Sequence, residues 1–371
     1  MLSARDVSLR HKLSNGRAVW LGMRFVEDDV PHLDSIPADQ WLSSLGVSGE
    51  FCDWFWRSVS MALMNVPLER CSSAALMRFF HHFLGRPDGR FGFPEGPLED
   101  LFVPGARQVI ARHGGTIRLG ARVTALDHFD QRCRGVVLAD GSTIKARHCV
   151  LCLPPGELLK ILPEPWKRIP PFTRLDKFEP SPYISVYLWF DRKLTRERFW
   201  AGTWTPTRLN YDFYDLSNIR AGRKGNSLIA SNIVHSQRAE HLDDEAIVAA
   251  TLREIQQFLP QARVDQVVHW QVHHIGMAVP CPLPGTETAR PGTRTPLEGL
   301  WLAGDWTRTA LPCSMESAVR SGLLAAEGVL LAQGRHRSLA QMPRPPSGVA
   351  GLVEQVLPGI PVAAVLDSVR P

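Results

Sequence analysis

The residues whose types and spacing could do chemistry are concentrated in Gly299-Leu-Trp-Leu-Ala-Gly-Asp-Trp-Thr307 and, a few positions on, Leu311-Pro-Cys-Ser-Met-Glu-Ser-Ala-Val-Arg-Ser-Gly322. The first run reads as a short buried strand whose carboxyl end presents Gly304 and Asp305. The second reads as a helix opening near Ser314. Ligands of doubly wound sheets sit beyond the carboxyl ends of the strands, so Asp305 is aimed at a ligand hydroxyl and Gly304 allows close approach. The helix start at Ser314 and Met315 adds partial positive charge beside the same spot. That arrangement suits a flavin, whose ring gains negative charge at its N1 end on reduction. The same residues also fit an ordinary strand and helix with a capping serine.

Other reactive groups are less organised. Cys149 and Cys152 form a CxxC in apolar strand sequence with no second ligand pair, so they read as structural. The seven cysteines are an odd set at irregular spacing, which argues against a disulfide framework. His269, His273 and His274 fall in a strand pattern and suggest no metal site. Tyr211, Asp212, Tyr214 and Asp215 could approach a substrate pocket, but the segment reads as a solvated loop. With no Ser/His/Asp set and no paired carboxylates, the catalytic residues stay unassigned.

The elements that must position these groups follow from apolar periodicity and turn residues. Phe51, Phe55, Val59, Ala62 and Leu63 share one helical face, Pro67 breaks the run, and Ser72 or Ser73 can cap a second helix that stops at Gly85. A helix is predicted over Pro104 to His113 and a strand over Thr116 to Leu126. Gly135 to Leu138 and Thr143 to Leu153 make a hairpin through a type I′ turn at Asp140-Gly141. Its last part, Cys149 to Leu153, is apolar throughout and reads as buried on both faces. Strands are predicted over Tyr183 to Phe190, Ser227 to Val234 and Val267 to His274, with an amphipathic helix over Asp243 to Leu259. Small residues Ala318, Ser321, Gly322 and Ala325 let the final helix, ending near Leu330, pack on the sheet. A linker from Met342 and a proline-broken tail to Pro371 follow.

Several of these segments together resemble one family. LAGDWT with LPCSMESAVRSG looks like the C-terminal flavin motif of the FAD-dependent amine oxidase and isoprenoid desaturase superfamily. The runs from Ala62 to Ser73, Leu101 to Leu126, Pro182 to Leu194 and Arg290 to Pro296 are similar to their counterparts in hydroxysqualene dehydroxylase and plant-type phytoene desaturase. The resemblance implies FAD as cofactor. It assigns Gly304 and Asp305 to the ribityl and pyrophosphate part and Trp306 to the same motif. Ser314, Met315 and Ala318 fall on the helix facing the pyrimidine edge, Val123 meets the adenine, and Pro154 marks the bend where the chain leaves the FAD domain. It also implies an apolar isoprenoid substrate handled by flavin hydride transfer. Trp306 and Leu311-Pro312 favour the hydroxysqualene dehydroxylase type; phytoene desaturation, flavin amine oxidation and a non-catalytic remnant are the alternatives.

The implied fold class is α/β (α+β mixed): an incomplete FAD-binding Rossmann-like domain of the amine oxidase type with an inserted substrate domain of sheet plus helices. The incompleteness is expected because the glycine-rich GxGxxG turn, and the acidic residue about 20 positions beyond it in such folds, are not found, so FAD retention by this chain alone is in question. The expected parts are a mainly helical section of the substrate domain (1–100), an FAD-domain segment with the hairpin (101–155), substrate sheet and helices (156–290), the last FAD-domain strand and helix (291–332), and a linker with tail (333–371). The 44% hydrophobic and 21% charged residues suit a globular chain with a substantial core. A net charge of +5 from scattered basic residues argues against nucleic-acid binding. No signal peptide or membrane span is read, so a cytoplasmic protein is expected, with an apolar substrate favouring peripheral contact with a bilayer.

Overall fold

The computed structural model describes residues 6–84, 92–222, 225–341 and 344–356. The helix stop at Gly85, the first linker residues Met342 and Pro343, and the tail from 357 lie outside the described residues.

The first section is helical, and its main run departs from the regular period. From Gly49 to Met64 the helix loosens twice into π turns, at Cys52–Trp56 and Ser60–Met64. An i→i+5 pitch carries the apolar stripe sideways. Phe51, Trp56, Met61 and Met64 are therefore buried, whereas Ala62 and Leu63, expected on the inner face, point outward. Helix α1 (Ser73–Leu84) follows, and the Ser72 hydroxyl accepts the Ala75 N–H at 3.3 Å, as its capping position implies. Helix α2 (Leu98–Arg112) is longer than the predicted segment and buries none of its side chains.

The strand expected from Thr116 begins only at Val123. β1 (Val123–Phe129), β2 (Arg132–Leu138) and β3 (Thr143–Lys145) form an antiparallel sheet in that order. Its β2–β3 turn is not type I′, because only Gly141 takes a left-handed φ of 82° while the Asp140 carboxylate accepts the Ser142 N–H at 2.9 Å. β4 (Cys149–Leu151) leaves this sheet altogether. Cys149 and Leu151 are buried but Val150 is 41% exposed, so β4 is covered on one face and not on both.

The five-stranded sheet comprises β5 (Pro180–Phe190), β6 (Phe199–Ala201), β7 (Asp212–Asp215), β8 (Leu228–Ile233) and β9 (Val267–Pro280), in the order β6-β7-β8-β5-β9. Its bonded pairs run antiparallel. Strand alternation divides β5 cleanly. Ile184, Val186, Leu188 and Phe190 are buried in a core with Ile247, Leu252 and Ile255 of α3 (Asp244–Gln256), whose N-cap Asp243 accepts the Ala246 N–H at 2.8 Å. Tyr183, Ser185, Tyr187 and Trp189 line the opposite, half-buried face.

β7 corrects the solvated-loop reading of Tyr211 to Asp215. Tyr211, Phe213 and Asp215 are buried, and Asp215 tolerates this because its carboxylate accepts Ser217 N–H at 3.0 Å and Ser227 Oγ–H at 2.7 Å. β10 (Leu300–Leu302) then pairs parallel with β4, residue for residue from Leu300 opposite Cys149. Helix α4 (Met315–Ala332) packs against β10. Among the described residues no helix is long and apolar enough to cross a membrane.

Candidate functional site

The parallel pair β4–β10 ends at Leu151 and Leu302, and the chain beyond β10 turns sharply into a loop before α4. Gly304 makes the turn possible. Its φ of 134° is unfavourable for any residue with a Cβ, and a Cβ there would lie 2.7 Å from the Trp306 indole nitrogen. Its N–H donates to Ser321 Oγ at 2.7 Å, which ties the strand end to the second turn of α4. The adjacent Trp306 side chain is buried, packs on Phe178, and donates its N–H to the Leu153 carbonyl at 3.0 Å. Trp306 thus leaves only main chain for a ligand.

Asp305 and the start of α4 are brought together, as the sequence suggested. The Asp305 carbonyl accepts the Ser317 hydroxyl at 3.0 Å, and Ser317 meets Thr309 at 2.6 Å. Ser314 caps the helix by accepting the Ser317 N–H at 3.1 Å, while Met315 is 62% exposed and Ala318 also faces out. Burial raises the Asp305 carboxyl above its ordinary range, against the pull of Arg290 and of the backbone N–H groups of Asp305 and Trp306. The Asp305 backbone is thus tied to the first turn of α4, whose exposed N-terminal end carries partial positive charge suited to an electron-rich ring, while a half-buried carboxylate on the same loop suits a ligand hydroxyl.

The other expected cofactor contacts are more scattered. Val123 is half-buried at the start of β1, packed against the core that also holds Trp306. Pro154 caps the short helix Pro155–Ile161, directly after the Leu153 carbonyl that Trp306 engages. Of the four small residues on α4, Ser321 and Ala325 are buried against the strand pair, whereas Ala318 and Gly322 face outward. The close approach falls instead at Gly328, where a Cβ would meet the Trp301 ring at 2.3 Å.

Sequence reading missed the group that shapes the loop. Arg290, fully buried, donates to the main-chain carbonyls of Asp305 at 2.6 Å, Thr307 at 3.1 Å, Trp306 at 3.3 Å and Leu311 at 2.9 Å. Its charge is balanced by Glu287 at 3.1 Å, which also pairs with Arg78 of α1; Arg78 in turn holds Glu27 through two bonds of 2.7 and 2.8 Å. Burial alone would push Glu287 upward, but Arg290 and Arg78 overrule it and hold the carboxyl at about 2. The Arg-Pro-Gly sequence at 290–292 was the available signal, read only as part of a family motif.

Comparison with known proteins follows the same residues. The flavin containing amine oxidoreductase family matches residues 23–330. The chain belongs to that family. It is 29% identical over 307 residues to tomato (Solanum lycopersicum) 15-cis-phytoene desaturase, covering 80% of this chain and 52% of the relative. It is 27% identical to 15-cis-phytoene desaturase of Synechococcus elongatus, covering 84% of this chain and 67% of the relative. The chain thus spans about half the length of the plant relatives it matches. Among solved structures, putrescine oxidase shares the fold at a TM-score of 0.66 and 14% identity, covering 88% of this chain and 77% of that one. The family implies FAD, and the desolvated Asp305 beside the open start of α4 fits that cofactor.

Proposed function

We propose that this chain provides the substrate sheet and part of the cofactor site of an FAD-dependent oxidoreductase acting on a long apolar isoprenoid. The observation that carries the cofactor half is the juxtaposition of Asp305 with the first turn of α4 through Ser317. Bound FAD would supply two-electron hydride chemistry. Gly304, Asp305, Ser314, Met315 and Ala318 would hold it, with Val123 and Pro154 at the margins, and Arg290 would fix the loop that carries Asp305.

The substrate half rests on the relatives, several of which are named phytoene desaturases and one, from Synechococcus elongatus, a probable zeta-carotene desaturase. They favour desaturation over the hydroxysqualene dehydroxylation suggested by Trp306 and Leu311-Pro312. The second reading is kept because Asp212, on the half-buried face of the five-stranded sheet, accepts the Tyr214 hydroxyl on Oδ2 at 2.9 Å while its buried Oδ1 has no hydrogen-bond partner among the described residues, an acceptor that a hydroxyl satisfies and a hydrocarbon does not. Peripheral membrane contact is part of the proposal, since an isoprenoid of this kind is delivered from a bilayer.

The test is anaerobic incubation of the purified chain, supplied with FAD, with phytoene. Loss of the oxidised-flavin absorbance together with a new conjugated double bond is the expected result. An unchanged spectrum of the oxidised flavin with phytoene and with amines, together with no anaerobic reoxidation of pre-reduced flavin by a hydroxysqualene, would falsify the enzymatic reading.

A further inference from the structure

Basic residues that are scattered along the sequence are gathered by the fold at the amino ends of the parallel strands. On the exposed face of the three-stranded sheet, Arg132 and Arg134 of β2 stand beside Lys145 of β3 and Arg147 just beyond it. With Phe129 and Ala146 they line a shallow hollow of about 640 Å³. A second hollow, of about 840 Å³, adds Arg294 and Arg337. The two meet at Glu298, which lines the second and reaches Arg132 of the first at 3.5 Å.

Six permanent cations thus share one surface, and the carboxylates among them are already engaged. Asp127 serves both Lys145 and Arg134, and Glu327 accepts the backbone N–H groups of Leu339 and Ala340. Asp130 adds one carboxylate from the adjoining β1–β2 turn. Among the described residues Arg147, Arg294 and Arg337 form no ion pair. Exposed pairs such as Arg132 with Glu298 are weak, so their arginines are free to exchange a carboxylate for a phosphate. Phe129, 69% exposed, holds its ring under the Arg134 guanidinium at 5.5 Å. A ring displayed among guanidinium groups has an apolar phase to enter when the facing surface is a bilayer. Single-stranded nucleic acid instead calls for a row of aromatic platforms, and one exposed phenyl ring does not supply it. The cofactor's pyrophosphate is not the occupant either, because the loop carrying Asp305 lies at the opposite, carboxyl end of the same strands.

We infer that this face is an electrostatic docking surface for a bilayer containing anionic phospholipid, its arginines meeting headgroup phosphates and Phe129 entering between the headgroups. The inference rests on the peripheral contact proposed above and names the surface that makes it.

The experiment is flotation of the purified full chain with two kinds of vesicle, phosphatidylcholine alone and phosphatidylcholine with about 30% phosphatidylserine. Binding to the anionic vesicles is expected to be about tenfold tighter and to fall to the neutral level at high salt. Arg134→Glu with Arg147→Glu should abolish that preference while the circular dichroism is unchanged, since both side chains are exposed. Arg196→Glu with Arg263→Glu makes the same change of net charge on exposed connections of the five-stranded sheet and should keep the preference. Phe129→Ser should weaken binding to the anionic vesicles several-fold. Equal binding to both vesicles overturns the electrostatic surface and leaves peripheral contact standing, whereas binding to neither removes both. A preference lost equally in the Arg196 and Arg263 double variant would show that net charge alone is read, and binding of a single-stranded RNA with no vesicle preference would assign the surface to nucleic acid. Either result overturns the inference.

Discussion

Arg290 donates to the backbone carbonyl of Asp305 at 2.6 Å, so a buried cation sets the path of the loop that presents the candidate cofactor carboxylate. The same guanidinium reaches Thr307 and Leu311, and its counter-charge Glu287 belongs to a helical turn also bonded through Asp34. Loop shape and ionic core are therefore one structure.

Arg290→Met should remove this support and leave Glu287 paired with Arg78 alone. Breaking one member of a buried pair costs about 3–5 kcal/mol. Urea unfolding is expected to show that loss, and Arg290→Lys, which keeps the charge without the planar fork, should recover only part of it. Stability unchanged in both variants would show that the loop is held by other means.

Glu287 predicts an acid limit. Its carboxyl titrates at about 2 in the folded chain against an ordinary value of 4.5. The stability it contributes is complete above that ordinary value and disappears as pH falls toward 2. Glu287→Gln should thus be markedly less stable than the wild type at neutral pH and converge on it in acid, as read from Tm against pH.

Asp212 predicts the opposite slope. Burial raises its carboxyl from 3.8 to about 6, with the Tyr214 hydrogen bond pulling the other way. The folded chain then keeps a proton that the unfolded chain releases, so this contribution is full below 3.8 and lost as pH rises through about 6. Asp212→Asn should gain on the order of 2–3 kcal/mol relative to the wild type at neutral pH and nothing in strong acid. A constant difference across that range would contradict the assignment.

Gly304→Ala places a methyl in a left-handed backbone position and against the Trp306 indole. Strain and overpacking of this kind cost about 1–3 kcal/mol each. Adding Trp306→Phe should relieve the steric part but not the backbone part, so the double variant should be more stable than the sum of the single losses implies. Strict additivity in thermal melts would mean that the two residues do not press on each other.

Much of the framework was legible from local pattern. The alternation in β5 and β8, the acidic start of α3 at Asp243 and the serine cap of α4 each encode their element within a few residues. The errors come where distant partners decide. Asp212 and Asp215 looked like loop residues because their burial depends on Tyr214, Ser217 and Ser227. Ala62 and Leu63 were placed on the wrong face because π turns change the period without a marker residue. At the candidate site, Asp305 and Ser314 were visible as a strand end and a cap. Arg290 was not, since Arg-Pro-Gly marks a turn and says nothing of a buried cation that grips carbonyls up to 21 residues away.

The contact between the Trp306 indole and the Leu153 carbonyl joins two chain crossings, the exit from β4 and the exit from β10, at a single point. With the Phe178 ring packed against the same indole, the two exits hold each other by one hydrogen bond and one aromatic contact, so the loop that carries Asp305 takes its starting position from a carbonyl more than 150 residues earlier in the chain.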